Sequence, residues 1–516
     1  MRPKFQIGFL IGLLLFPAFL PAKTAELTPK QKALLFLNRL TFGPAPGDLE
    51  RVEKMGTEAF LEEQLAPEKL NDSAVEKELA QYPTLTQTIN SLLMEYPQPG
   101  VNILRPDLRD VVLSPAEQEM AYGRIHNMVV ELSKAKLTRI TESPRQLDEV
   151  MVDFWFNHFN VSFQKNEVQW FTTSYVRDVI RPNALGKFSD LLKAVARSPA
   201  MLVYLDNNDN YADPNFKPVA MAEGNGAGKP AMMMQPMPGQ GLRLNENYGR
   251  ELMELHTLGV DAGYTQKDVT ECSRVFTGWA VAGIHPDSAP QPVRFEFKPW
   301  HHDNNPKTIL GHTFEPNGEK EGDEVLEFLS RQPQTAHRIA FKLCQRFVSD
   351  DPPPSLVKKV AASFLDSDGD IKTVLRTLFL SPEFTDPKYY QEKVKTPLEF
   401  VASALRATGT HPKDWEPTLK TLEAMGEPLF ECEAPTGYPQ TADAWVSSAS
   451  LLGRANYAAQ LTGGINDQPS LPALFHRLLN DEVSAATQKA LTQRAGDLGS
   501  GQLEALVLAS PDFQRR

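Results

Sequence analysis

The sequence predicts a mainly α protein, a multi-helix globular array with one small β hairpin inserted near residues 293–315. Three observations carry that reading. Apolar residues recur at helical spacing along most of the chain, as at Ala33, Leu34, Leu37 and Leu40, where a helix buries one face. Capping residues stand ahead of many of these runs, with Thr28 before Pro29, Thr265 three residues before Asp268, and Asp370 before Ile371. Strict alternation occurs clearly only once, where Val293, Phe295 and Phe297 interleave with Arg294, Glu296 and Lys298.

In chain order, residues 1–22 read as a secretory signal peptide. Arg2 and Lys4 form a charged start, residues 5–20 an apolar stretch, and Ala22 and Ala25 offer small residues for cleavage. That stretch is shorter than the ~20 residues a bilayer span needs. No later segment is long and apolar enough, so the reading is an exported chain, periplasmic or extracellular, with no span after the signal. Residues 27–207 form an N-terminal helical part, with helices expected at 29–40, 48–65, 72–79, 116–137, 168–180 and 188–196. Within it Ser143-Pro144-Arg145-Gln146 reads as a capping box opening the most apolar helix, 147–159, which carries His158 on its apolar side. Residues 208–241 are a Gly/Pro/Met-rich flexible loop, and 242–465 a central helical part holding the hairpin. Helices are expected there at 265–279, 323–330, 335–348, 354–365, 371–380 and 397–408, and residues 466–516 make a C-terminal helical segment.

Composition excludes some functions. The chain has 516 residues and a formal net charge of -12, with no run of Lys and Arg, which argues against a nucleic-acid groove. Cys272, Cys344 and Cys432 are too few and too widely spaced for a disulfide framework or a CxxC metal site. Asp366-Ser367-Asp368-Gly369-Asp370 looks like a calcium loop, but placing Gly369 at the turn puts Phe364 and Leu375 where oxygen ligands belong.

Unusual polar residues gather in the stretch 245–259, a short helix with Asn245 at its N-cap and Gly259 as its stop, after which Val260 is placed to pack on Leu255. At about 100° per residue, Glu246, Asn247, Arg250, Glu251, Glu254 and Thr257 share an arc of roughly 140°, opposite Tyr248, Leu252, Leu255 and Gly259. His256 falls on the other shoulder. One reading is a solvated face braced by Glu246–Arg250 and Arg250–Glu254 pairs. The other joins this face to His158, to Asp206 and to the loop Trp300-His301-His302-Asp303-Asn304-Asn305-Pro306-Lys307. Catalytic candidates are then His158, Glu251, His302 and Asp303. Substrate-binding candidates are Arg250, Lys307, Asn247 and Asp206. Mixed carboxylate and imidazole ligands for one divalent metal ion would be Glu246, Glu251, Glu254, His302 and Asp303. This second reading expects the polar face to be buried against the His302-Asp303 loop with His158 nearby.

The ordered set Arg39-Leu40-Thr41-Phe42-Gly43, Trp155-Phe156-Asn157-His158-Phe159, Leu205-Asp206-Asn207, the long motif at 245–259, Phe276-Thr277-Gly278-Trp279, and His302-Asp303 with Lys307 resembles a bacterial family known only as domain of unknown function number eighteen hundred. The resemblance implies an exported, largely helical protein, often encoded beside a sulfatase- or alkaline-phosphatase-like exported protein, which is the partner it suggests. It implies no activity. The chain departs from the family at Gly437-Tyr438-Pro439, where Gly-Trp is more usual. The function expected is a binding or assembly module working with that partner. The alternative is a metal-dependent or acid/base hydrolase with a site formed by the 245–254 helix, His158 and the His302-Asp303 loop.

Overall fold

Helix after helix along the chain is set by the capping chemistry the sequence advertises. A computed structural model describes residues 26–97, 113–165, 167–212, 244–284, 291–463, 469–496 and 498–516. The signal-like start and most of the Met-rich loop lie outside them. Thr28 caps Pro29–Leu40 through a reciprocal box with Gln31, and Thr396 caps Pro397–Thr408 through Glu399. Asp370 accepts from the Thr373 amide to open Ile371–Phe379, as its N-cap reading expects. The apolar faces meet in one continuous core that runs from Leu27 to Phe513. Among the described residues no helix is long and apolar enough to cross a membrane.

Several boundaries differ from the sequence reading, each for a local reason. The helix expected at 48–65 is broken at Gly56, whose φ of 88° no neighbouring residue type adopts readily. Ser143-Pro144-Arg145-Gln146 is not a capping box. Ser143 Oγ accepts from the Arg145 amide, while the Gln146 side chain bonds Ile140 and Ser143 carbonyls and accepts from the Phe42 amide. The helix expected at 265–279 ends at Val275, and Trp279–Ala282 forms a strand, β1, paired antiparallel with β2, Arg294–Phe297. All four residues of β1 are buried, so it carries no alternation to read. A second ladder joins β3, Lys307–Ile309, to β4, His312–Phe314, across Leu310 and Gly311, both at positive φ. The β structure is thus two small two-stranded sheets within a mainly α fold.

Two helical stretches widen into π turns, a form concentrated at functional sites. One is Tyr175–Ile180, following Val168–Ser174. The other ends the central helix, in which an α turn, Asn247–Glu251, runs into π-helical Leu252–His256. Asn245 Oδ1 accepts from the Asn247 amide at 3.0 Å, capping that helix from one residue further back than the N-cap proper. Gly259 stops it at φ 103°, its amide reaching the Met253 carbonyl. Val260 does not pack on Leu255; it is 61% exposed, because the π turn shifts the register that an α count assumes.

Candidate functional site

Tyr248, Leu252, Leu255 and Gly259 of the central helix are buried as its apolar stripe requires, and Glu246, Asn247, Arg250, Glu251 and Glu254 are half-buried. Thr257 is fully buried instead of facing out, its hydroxyl bonded to the Leu252 carbonyl across the π turn. Glu246 pairs with Arg250 at 3.1 Å and accepts from Gln266 and Thr270 of the neighbouring helix Gln266–Val275. Asn247 donates to the Leu205 carbonyl, and Asp206, at φ 57°, pairs with Lys165 at 2.9 Å. Burial and the nearby Glu254 raise the pKa of Glu251 above the ordinary carboxyl value.

The His302-Asp303 loop is built into a different buried network. His302 Nδ1 meets the Thr277 carbonyl at 2.9 Å, and Nε2 meets Glu321 at 3.1 Å. A carbonyl can only accept, so Nδ1 carries the proton there. Lys307, fully buried, donates to Glu321 at 2.9 Å and to the Asp303 carbonyl. Asp303 holds Arg274 at 2.6 Å and accepts from Asn305 with its other oxygen. Burial works against its charge, but Arg274 and the Asn305 amide keep its pKa below the usual value. Burial lowers the Lys307 pKa against the pull of Glu321.

The two groups are tied to one helix, Gln266–Val275, and not to each other. Glu246 bonds it at Gln266 and Thr270, whereas Asp303 bonds it at Arg274. Among the described residues no hydrogen bond or ion pair joins the 245–254 face to the His302-Asp303 loop. No group of three or more His, Cys, Asp or Glu residues there is arranged to hold a metal ion.

His158 sits on the far side of the central helix. It is buried, its Nε2 is 3.1 Å from the His256 carbonyl, and its Nδ1 is 3.0 Å from Lys342 Nζ. His256, which an α-helical count puts on the shoulder away from the carboxylates, lies with its ring centroid 6.5 Å from that of His158. Lys342 belongs to the helix Pro333–Phe347, one turn after Arg338, whose Nε donates to the Leu255 carbonyl. Burial first, then Lys342 and Arg338, drive the His158 pKa well down and that of His256 to about 3. Burial and Arg338 bring Lys342 down to about 7. Sequence reasoning missed Lys342 and Arg338. The signal present was a pair of basic residues four apart, bordering the apolar face of an amphipathic helix.

A cavity of about 270 Å³ lies elsewhere, between the long helix Pro115–Glu142, the aromatic helix Gln146–His158 and the π-helical Tyr175–Ile180. Leu79, Leu132, Val152, Phe156, Val176 and Phe430 give it an apolar wall. Its polar rim is self-neutralised. Lys136 pairs with Asp153 at 2.6 Å, Arg181 forks onto both oxygens of Glu149 at 2.6 and 2.9 Å, and Arg139 holds Glu76 at 2.8 Å. The π turn places Val176 and Arg177 at this wall, and Arg177 donates to the Leu85 and Gln87 carbonyls. Of the motif residues the sequence singles out Phe156 lines it, and none of the catalytic, substrate-binding or metal candidates does.

A family model described as a protein of unknown function, DUF1800, matches residues 35–515. The chain belongs to the DUF1800 family. The motifs of this DUF1800 chain act largely as internal ties. Asn157 exchanges hydrogen bonds with Tyr438 at 2.9 and 2.7 Å, and Asn160 donates to the carbonyls of Cys432 and Ala434, so the aromatic helix pins the late loop. Asn207 and Asn210 pin the turn into β1 through Phe276, Trp279 and Ser273 carbonyls. No curated protein and no solved structure matches this DUF1800 chain.

Proposed function

We propose that this DUF1800 protein is an exported binding module that takes a small, mostly apolar molecule. The observation that carries the reading is the cavity of about 270 Å³ walled by Leu132, Phe156, Val176 and Phe430. A concave apolar pocket with a few convergent polar groups is the kind of site that holds such a ligand. Its charges are already paired, which favours a neutral or weakly polar occupant over a free ion. The signal-like residues 1–22 support export. The partner proposed is the sulfatase- or alkaline-phosphatase-like exported protein implied by the family resemblance; co-purification at low and moderate salt tests it, and no recovery at either would count against it.

The hydrolase alternative draws no support from the site. It needs the 245–254 face, His158 and the His302-Asp303 loop around one space, and they serve separate clusters. The binding reading is tested by titrating purified protein with the uncharged fluorescent probe N-phenyl-1-naphthylamine. Saturable binding to the native protein is expected, weakened roughly tenfold or more in Val176→Phe, whose added ring fills the wall. Equal binding by a folded Val176→Phe protein would refute it.

A further inference from the structure

Lys342 combines features that the cavity and the family motifs do not use. Its ammonium has no ion pair among the described residues, and its neighbours are cationic or neutral bases: Arg338 on its own helix, His158 from the aromatic helix and His256 from the π turn. Glu254 of the central helix faces Arg338 and acts on that residue. The residue as a whole is half-buried, with its ammonium enclosed by these neighbours. Its 3.0 Å contact with His158 Nδ1 is a base beside an amine, and the tautomer is fixed from the other end. The His256 carbonyl can only accept, so Nε2 carries the imidazole proton and Nδ1 presents a lone pair to Lys342. That carbonyl stands at the end of the π turn, where Thr257 leaves helical geometry at φ −127°, ψ −92°.

We propose that Lys342 is a nucleophilic amine that condenses with small aldehydes or ketones, with His158 carrying its protons. The neutral amine attacks the carbonyl carbon and a C–N bond forms. His158, kept neutral by its burial, relays each of the two amine hydrogens from nitrogen to oxygen through Nδ1 without resting as an imidazolium; the oxygen leaves as water and an imine remains. A pKa near 7 leaves a large share of this lysine unprotonated at neutral pH, as such chemistry requires. Among the described residues three other lysines are buried and lack the arrangement, and Lys307 is paired with Glu321. Lys393 is paired with Asp350, and Lys395 lies 3.9 Å over the Phe513 ring with no base beside it.

The test treats the purified protein with butanal and sodium cyanoborohydride across pH 6 to 10 and maps alkylated lysines by mass spectrometry. At about pH 7, Lys342 is expected to react roughly tenfold or more faster than exposed Lys420, since its neutral fraction is far larger. Lys342→Arg removes that site alone. His158→Gln slows labelling at Lys342, and Arg338→Met, which keeps the histidine, moves the pH midpoint of labelling upward. Labelling of Lys342 no faster than Lys420, or a midpoint near that of an ordinary lysine, overturns the proposal. An unchanged rate in folded His158→Gln protein overturns the role given to the histidine.

Discussion

Asn207 is fully buried, and its amide nitrogen donates to the Phe276 and Trp279 carbonyls at 3.1 and 2.8 Å. Asn207→Leu takes this donor from the Trp279 carbonyl, while the Phe276 carbonyl keeps the Trp279 amide, so urea denaturation is expected to show a loss of about 1–3 kcal/mol. Glu321 is fully buried beside Lys307 and His302, and Glu321→Ala should cost about 3–5 kcal/mol by stranding the lysine. Glu246→Ala, on the half-exposed face, should cost about 1 kcal/mol or less. Glu427 provides a pH readout. Burial lifts its pKa to about 7, above the value it has unfolded, so its stabilising contribution is full below the unfolded pKa and is lost as pH rises through about 7. The Tm of Glu427→Gln protein, compared with wild type from pH 5 to 8, should therefore rise relative to it, by an amount equivalent to about 1 kcal/mol or more. Sequence could flag His302, Asp303 and Lys307 because they are polar and adjacent. It could not flag Glu321, which sits in an ordinary charged run at Glu319-Lys320-Glu321 and becomes a partner only through folding.

Among the elements, those whose ends are written in short-range chemistry were legible. Pro397–Thr408 starts and stops where Thr396, Pro397 and Gly409 require. The π turn at Leu252–His256 was not, since nothing in a 3.6-residue pattern announces an extra residue, and the turn is what brings His256 beside His158. β1 was missed because a strand buried on both faces has the same apolar run as a buried helix. Packing of the central helix against Gln266–Val275 depends on Gly249. A Cβ there would stand 2.2 Å from Ser273 Oγ and 2.9 Å from its amide nitrogen. Gly249→Ala is expected to force the helices apart and lower stability by about 1–3 kcal/mol despite alanine's better helix propensity, as thermal unfolding would record.

For the whole molecule, ionisable residues that looked like one site from the sequence are distributed over three places: the Glu246 face, the His302–Glu321–Lys307 network and the His158–Lys342 pair. The cavity of the binding reading lies in a fourth, its wall formed by residues whose apolar helical spacing reads only as core. Fold class was therefore legible from periodicity, while the cavity was not, because a void is a property of how helices fail to fill the volume between them. The most direct measurement is diffraction from xenon-pressurised crystals of the wild-type protein and the Val176→Phe variant. Xenon enters dry apolar cavities large enough to hold it. The account expects a xenon peak enclosed by Leu132, Phe156, Val176 and Phe430 in the wild type and none in the variant; an unoccupied, collapsed space between these side chains in both would contradict it.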